Sequence, residues 1–164
     1  MNSNLIITIG REYGTGGREI GQKLALRLGV PFYDRELITR AAKKTGFDEK
    51  LFEQLDKRAT NSFLYSLTMF GSVGLNGMSL TDQLYLAQSN IIREMAEDSS
   101  CVIVGRCADH VLRDFPNKFD FFIHGSIEDR VKRVQTCGAY VIEGPTPAAA
   151  LAKMDKQRST SYNY

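Results

Sequence analysis

Leu5-Ile6-Ile7-Thr8-Ile9-Gly10-Arg11-Glu12-Tyr13-Gly14-Thr15-Gly16-Gly17-Arg18-Glu19-Ile20 is the stretch on which the fold turns. Its first five residues form a short β-branched run ended by Gly10, the pattern of a buried parallel strand. Gly14, Gly16 and Gly17 place three glycines within four positions, which lets the backbone take positive φ and turn its N–H groups inward. Ile20, Leu24 and Leu28 then recur every four residues, predicting a helix that Gly29 stops. Val30-Pro31-Phe32-Tyr33 reads as a second strand ended by Asp34. Strand, glycine loop, helix, strand is a βαβ unit, and the helix adds partial positive charge at its N-terminus. Both features favour a bound phosphate. The bland alternative is a tight strand-to-helix turn with no ligand, but Arg11 and Arg18 also flank the loop.

Outward from this unit the alternation continues. Residues 36–58 are helical and charged in pattern. Phe63, Leu64, Tyr65, Leu67, Met69 and Phe70 run into a Gly/Ser/Asn stretch from Gly71 to Gly77, which suggests a helical insert. Thr81 is expected to cap a long helix reaching about Glu97, with Leu84, Ala87, Ile91 and Met95 on one side. Cys101-Val102-Ile103-Val104 is a third strand followed by Gly105-Arg106, and Ala108–Arg113 a short helix. Phe119–Ile123 is a fourth strand, after which Ser126 starts a helix with Glu128 and Asp129 in its first turn. A loop from Gly138 to Pro145 leads to a last helix opened by Thr146-Pro147. Strands alternating with helices predict an α/β fold on a parallel sheet. Four strands leave an exposed edge, so a fifth strand and helix are expected to continue the chain.

A length of 164 residues fits one domain with a single core. The composition, 43% hydrophobic and 24% charged, is that of a globular protein. A net charge of +2 is too balanced to argue for a nucleic-acid polymer as partner. Cys101, Cys107 and Cys137 are odd in number and form no C-x-x-C pair, which argues against a disulfide framework or a cysteine zinc site and for reduced thiols in the cytoplasm. His110 and His124 have no partner at metal-ligand spacing, so no protein-built metal site is expected. No stretch reaches the roughly 18 apolar residues that span a bilayer, and no membrane association is expected.

Two phosphate-loop patterns match in part. A G-x-G-x-x-G dinucleotide loop starting at Gly14 would have Glu19 as its third glycine, although Asp34 lies where a ribose-binding acid would sit. For G-x-x-x-x-G-K-[ST], Gly17 falls on the lysine position, and Arg18 is the cation beside it.

Gly10 to Ile20, Phe32-Tyr33-Asp34-Arg35-Glu36-Leu37-Ile38, Val102-Ile103-Val104-Gly105-Arg106 and Asp155-Lys156-Gln157-Arg158 together resemble the cytidylate kinase-like family over essentially the whole chain. The resemblance implies a three-layer α/β/α parallel sheet of P-loop kinase type, in one domain over 1–164. It implies a helical acceptor-binding insert at about 36–80 and a C-terminal lid at about 130–164, with the last strand and helix missing. It further implies an ATP-dependent phosphotransferase acting on a nucleoside monophosphate such as CMP, with Mg2+. Gly105-Arg106 sits where cytidylate kinases carry Gly-Arg-Asp, whose arginine and aspartate contact the acceptor. Arg106 matches, Cys107 stands at the aspartate position, and Asp109 is the nearest acid.

Phosphoryl transfer asks the protein for positioning and positive charge rather than covalent chemistry. Gly14, Thr15, Gly16, Gly17 and Arg18 are expected to cradle the donor phosphates, with Arg11 beside them and Glu19 in reach of the ion. Arg18 is the candidate replacement for the lysine, since a guanidinium binds phosphate in a bidentate way. Arg106 is the candidate acceptor clamp, with a structural ion pair as its alternative. Arg130, Arg133 and Arg158 are candidate lid arginines or ordinary helix charges. Arg130 and Arg133 share a helix face, and Asp155 and Arg158 are spaced to pair with each other. Asp34 and Arg35 would touch the acceptor sugar or base or help place magnesium, unless Asp34 caps a turn. The apolar Phe63–Phe70 cluster is a small core or the interface of a homodimer.

Overall fold

The computed structural model describes residues 4–34, 80–138, 140 and 144–162. The expected insert, with Arg35 and the Phe63–Phe70 cluster, lies outside the described residues. Among them the chain forms β1 (Ile6–Arg11), α1 (Gly17–Leu28), β2 (Phe32–Tyr33), α2 (Leu80–Asp98), β3 (Cys101–Val104), α3 (Ala108–Val111), β4 (Lys118–Ile123), α4 (Ile127–Thr136) and α5 (Pro147–Tyr162).

The four strands make one parallel sheet in the order β2-β3-β1-β4. β1 is central, with Ile6 beside Cys101 and Ile9 beside Val104 on one flank, and Ile6 beside Lys118 on the other. Its two faces build two cores. Ile6, Cys101 and Ile103 pack with Ile91, Ile92, Met95 and Ala96 of α2 and with Ala108 and Val111 of α3. Ile7, Ile9, Val102 and Val104 pack with Ala25 of α1. Helices therefore cover both faces, and every β3 residue is buried, as the continuous apolar run predicts. β4 is an edge strand with Phe119, Phe121 and Phe122 more than half exposed.

Several expectations are corrected in detail. β1 runs on through Gly10 to Arg11 because β4 pairs with it as far as Arg11 beside Ile123. The buried face of α1 is Gly17, Gly21 and Ala25, while Ile20 and Leu28 are exposed. Small residues win this face because the helix lies close on the sheet: a Cβ at Gly21 would fall 2.7 Å from Val104 Cγ2. α2 begins at Leu80, so Thr81 lies in its first turn rather than capping it. The short α3 ends at Val111, not Arg113. Gly29 does stop α1, in a left-handed conformation with its N–H donating to the Ala25 and Leu26 carbonyls. Ser126 caps α4 by accepting from the Asp129 N–H at 3.1 Å.

Candidate functional site

The loop between β1 and α1 opens at the carboxyl end of the sheet. Gly14 and Gly16 hold φ of 83° and 78°, values that side-chain-bearing residues resist. Gly16 is the residue before α1, and the Ile20 N–H donates back to its carbonyl at 3.0 Å. The amides at Gly17, Arg18 and Glu19 precede that first helical bond, which leaves them available to an anion.

Four arginines gather on the β2 and β3 side of this loop. Arg11 leaves the end of β1, passes over Gly17 and lays its guanidinium on Gly105: a Cβ at Gly17 would sit 2.7 Å from Arg11 Cβ, and one at Gly105 would overlap Arg11 Nη1. Asp34, buried at the end of β2, accepts from Arg18 Nε at 2.7 Å and stands 3.7 Å from Arg11 Nη2. Arg158, from α5, donates to the Arg11 carbonyl at 3.0 Å and stacks over the Tyr13 ring, 5.2 Å from its centroid. Arg106 follows Gly105. Burial, then the charge of Arg158, pushes the Arg11 pKa down to about 10, against the pull of Asp34 and with Arg106 and Arg18 adding to the fall. Burial lowers Arg158 as well. A cluster so crowded with positive charge gains stability from an anion.

Backbone strain marks the same place. Gly105, Arg106 and Cys107 take φ of 78°, 62° and 51° in succession. Left-handed φ at non-glycine residues costs on the order of 1–3 kcal/mol each, and such strain gathers at ligand sites. The turn aims Arg106 from the end of β3 and starts α3, where the Val111 N–H donates to the Cys107 carbonyl at 2.9 Å.

The C-terminal helices close over the other side of the loop. Arg130 of α4 is nearly buried; it pairs with Glu12 at 3.1 Å and with Asp155 of α5, and donates from Nε to the Tyr13 carbonyl at 2.9 Å. Asp155 also accepts from the Tyr13 N–H at 2.7 Å. Glu12 accepts from the Gly125 N–H at 3.1 Å, and Thr15 donates to the Glu12 carbonyl at 2.9 Å. Gly14 lies against Val134 and Leu151, leaving no room for a side chain. Arg133 rests its guanidinium over Gly16, pairs with Glu19 and donates to the Tyr140 hydroxyl at 3.3 Å. Lys23, then Arg133, holds the Glu19 carboxyl below its ordinary range.

The structure thus brings Arg11, Gly14, Thr15, Gly16, Gly17, Arg18, Asp34, Arg106, Arg133 and Arg158 to one place. Arg130 sits behind the loop rather than in its mouth. Asp109 stands in the first turn of α3, its carbonyl accepting from Lys118 Nζ at 2.7 Å. Asp155 bonds Arg130 and Tyr13, and Arg158 bonds Arg11 and stacks on Tyr13, while the charge of Asp155 also steadies Arg158. Glu12, Tyr13 and Tyr140 were not singled out by the sequence. Glu12 and Tyr13 lie inside the glycine loop, the one signal that could have drawn notice. Tyr140, set edge-to-face on Tyr13 with centroids 5.4 Å apart, had none. Among the described residues no three His, Cys, Asp or Glu side chains converge as a metal site. No described helix is long and apolar enough to cross a membrane.

Residues 6–164 match a family model described as the cytidylate kinase-like family. A crystal structure of an uncharacterized protein from Eubacterium ventriosum aligns with a TM-score of 0.61 and 30% sequence identity, covering 98% of this chain and 76% of that one. None of the functionally curated proteins matches the chain.

Proposed function

The chain belongs to the cytidylate kinase-like family, and from that premise we propose that it transfers the γ-phosphate of ATP to a small phosphorylated acceptor, a nucleoside monophosphate such as CMP. The observation that carries this reading is the convergence of Arg11, Arg18, Arg106 and Arg158 on the carboxyl end of the sheet, beside a glycine loop that opens a helix. Ligands of open α/β sheets collect there. Two anions need two sets of donors, and the site has two. The loop amides and the N-terminus of α1 suit the donor phosphates. Arg106, on its strained turn, suits the acceptor phosphate. Arg133 and Arg158, carried by α4 and α5, suit the role of lid arginines that surround the migrating group with positive charge.

Asp34 keeps Arg11 and Arg18 in place before the anions arrive, and stands where an acceptor hydroxyl can meet it. Magnesium, when bound, would neutralise the oxygens of the donor phosphate. Such an ion is ordinarily carried mainly by phosphate and water.

A second reading is a nucleotide-binding module without turnover, favoured by Gly17 at the lysine position and by Glu19 occupying Arg133. Cys107 at the position of the family's acceptor-contacting aspartate favours an acceptor other than CMP. One experiment separates the first reading from the other two: purified chain with ATP, magnesium and a panel of nucleoside monophosphates, read by coupled ADP release. Release that depends on one nucleoside monophosphate supports the first reading. Tight ATP binding with no release for any of them refutes it and supports the module or a different acceptor.

A further inference from the structure

We propose that Arg11, rather than Arg18, supplies the cation that a phosphate loop ordinarily carries as lysine, and that Gly17 and Gly105 are glycines to let its side chain through. The inference rests on the phosphotransfer reading above and names the group that does its central electrostatic work.

Gly17 needs an explanation that backbone geometry does not give. It lies in the first turn of α1 and, unlike Gly14 and Gly16, takes no left-handed conformation. Alanine there would favour the helix. What excludes alanine is Arg11, whose Cβ and Cγ would lie 2.7 and 3.0 Å from a Cβ at residue 17. These stem atoms are tied to the end of β1 and have little freedom to yield. The lysine position is therefore filled from the side: the stem that crosses it belongs to residue 11 instead of residue 17.

The head of that stem reaches the second glycine. A Cβ at Gly105 would sit 2.1 Å from Arg11 Nη1. Arg11 thus spans from the donor loop to the turn that aims Arg106, the interval a migrating phosphoryl group crosses. Arg18 is placed differently. It is more than half exposed, and its Nε is committed to Asp34 at 2.7 Å. Arg11 is four-fifths buried, and its ion pair with Asp34 is long at 3.7 Å, beyond hydrogen-bonding reach. A largely buried cation in a long ion pair gives a phosphate more than an exposed one already hydrogen-bonded to a carboxylate.

The test uses Mg·ATP and inorganic tripolyphosphate as probes in calorimetric titrations of the full chain, with the melting of each variant followed by circular dichroism. Arg11→Met is expected to weaken both probes by about 10- to 100-fold and Arg18→Met by less than about 3-fold. Gly17→Ala keeps every charge and is expected to weaken both probes as well, by about 10-fold, because it displaces the Arg11 stem. Moving the cation, in the double variant Arg11→Ala with Gly17→Lys, is expected to restore most of the affinity that Arg11→Ala loses. Folded Gly17→Ala binding like wild type, or Arg18→Met losing more than Arg11→Met, overturns the inference. Wild-type chain that binds neither probe refutes the phosphotransfer reading itself, and the inference with it.

Discussion

Arg130→Met keeps most of the stem's length and removes the charge that ties the glycine loop to α4 and α5. The Arg130 side chain is 8% exposed, and its guanidinium holds Glu12, Asp155 and the Tyr13 carbonyl at once. Breaking a fully buried ion pair costs about 3–5 kcal/mol, mostly the penalty of the charge left behind. Here Glu12 and Asp155 are 30% and 27% exposed, so water reaches them after the loss. About 2–3 kcal/mol is the expected destabilisation. For a chain of this size each ~1 kcal/mol moves Tm by about 2–4 °C, which puts the variant about 4–12 °C below wild type. The same substitution removes the hydrogen bond to the Tyr13 carbonyl inside the glycine loop, so ATP affinity falls too. Thermal unfolding by circular dichroism at neutral pH, with ATP titrations on the same samples, checks both. A Tm within ~2 °C of wild type would refute the clamp. If stability and ATP affinity hold while turnover collapses, Arg130 touches the transferred phosphate, the role its resemblance to a lid arginine implies.

Gly16→Ala forces a side chain into φ 78° and against the Arg133 guanidinium, 2.8 Å away; it is expected to destabilise by about 1–2 kcal/mol and to loosen the Arg133–Glu19 pair, measured by urea unfolding. Arg11 gives a pH signature. Burial brings its folded pKa down to about 10, well below that of an ordinary guanidinium, so its charge costs stability fully below about pH 10, and the cost is relieved as pH rises towards the unfolded value. The stability of Arg11→Met relative to wild type is therefore expected to stay level below about pH 10 and to fall as pH rises above it; a relative stability that rises there would contradict the burial argument. Burial pushes the Cys101 thiol up to about 11 and raises that of Cys107 less. Iodoacetamide on the native chain, read by mass spectrometry, is expected to label Cys137 before Cys107 and to spare Cys101.

What the sequence made legible follows from how local each signal is. The glycine loop, the Cys101–Val104 strand, the Gly29 stop and the Ser126 cap each depend on a few adjacent residues, and each stands where the pattern put it. Apolar size points to the wrong face of α1, because the helix sits too near Val104 for anything larger than Gly21. The place of Arg106 directly after the buried strand and Gly105 was legible; the left-handed turn there was not, since only the fold makes Arg106 and Cys107 adopt it. Arginine roles were the least legible part. Arg11 and Arg18 look alike in the sequence, and what separates them is which stem crosses Gly17. Arg130 and Arg133 do share a face, yet one is locked to Glu12 and Asp155, about 118 and 25 residues away in the chain, and the other lies over Gly16.

Calorimetric titration of Mg·ATP into the chain, beside a titration of adenosine, tests the central claim most directly, because the account assigns the binding to phosphates. ATP binding with adenosine binding at least about 100-fold weaker is the predicted result, with an affinity that falls as salt rises. Equal affinity for the two, or none for ATP, would contradict it: the arginine cluster and the glycine loop would then serve something other than a nucleotide's phosphates.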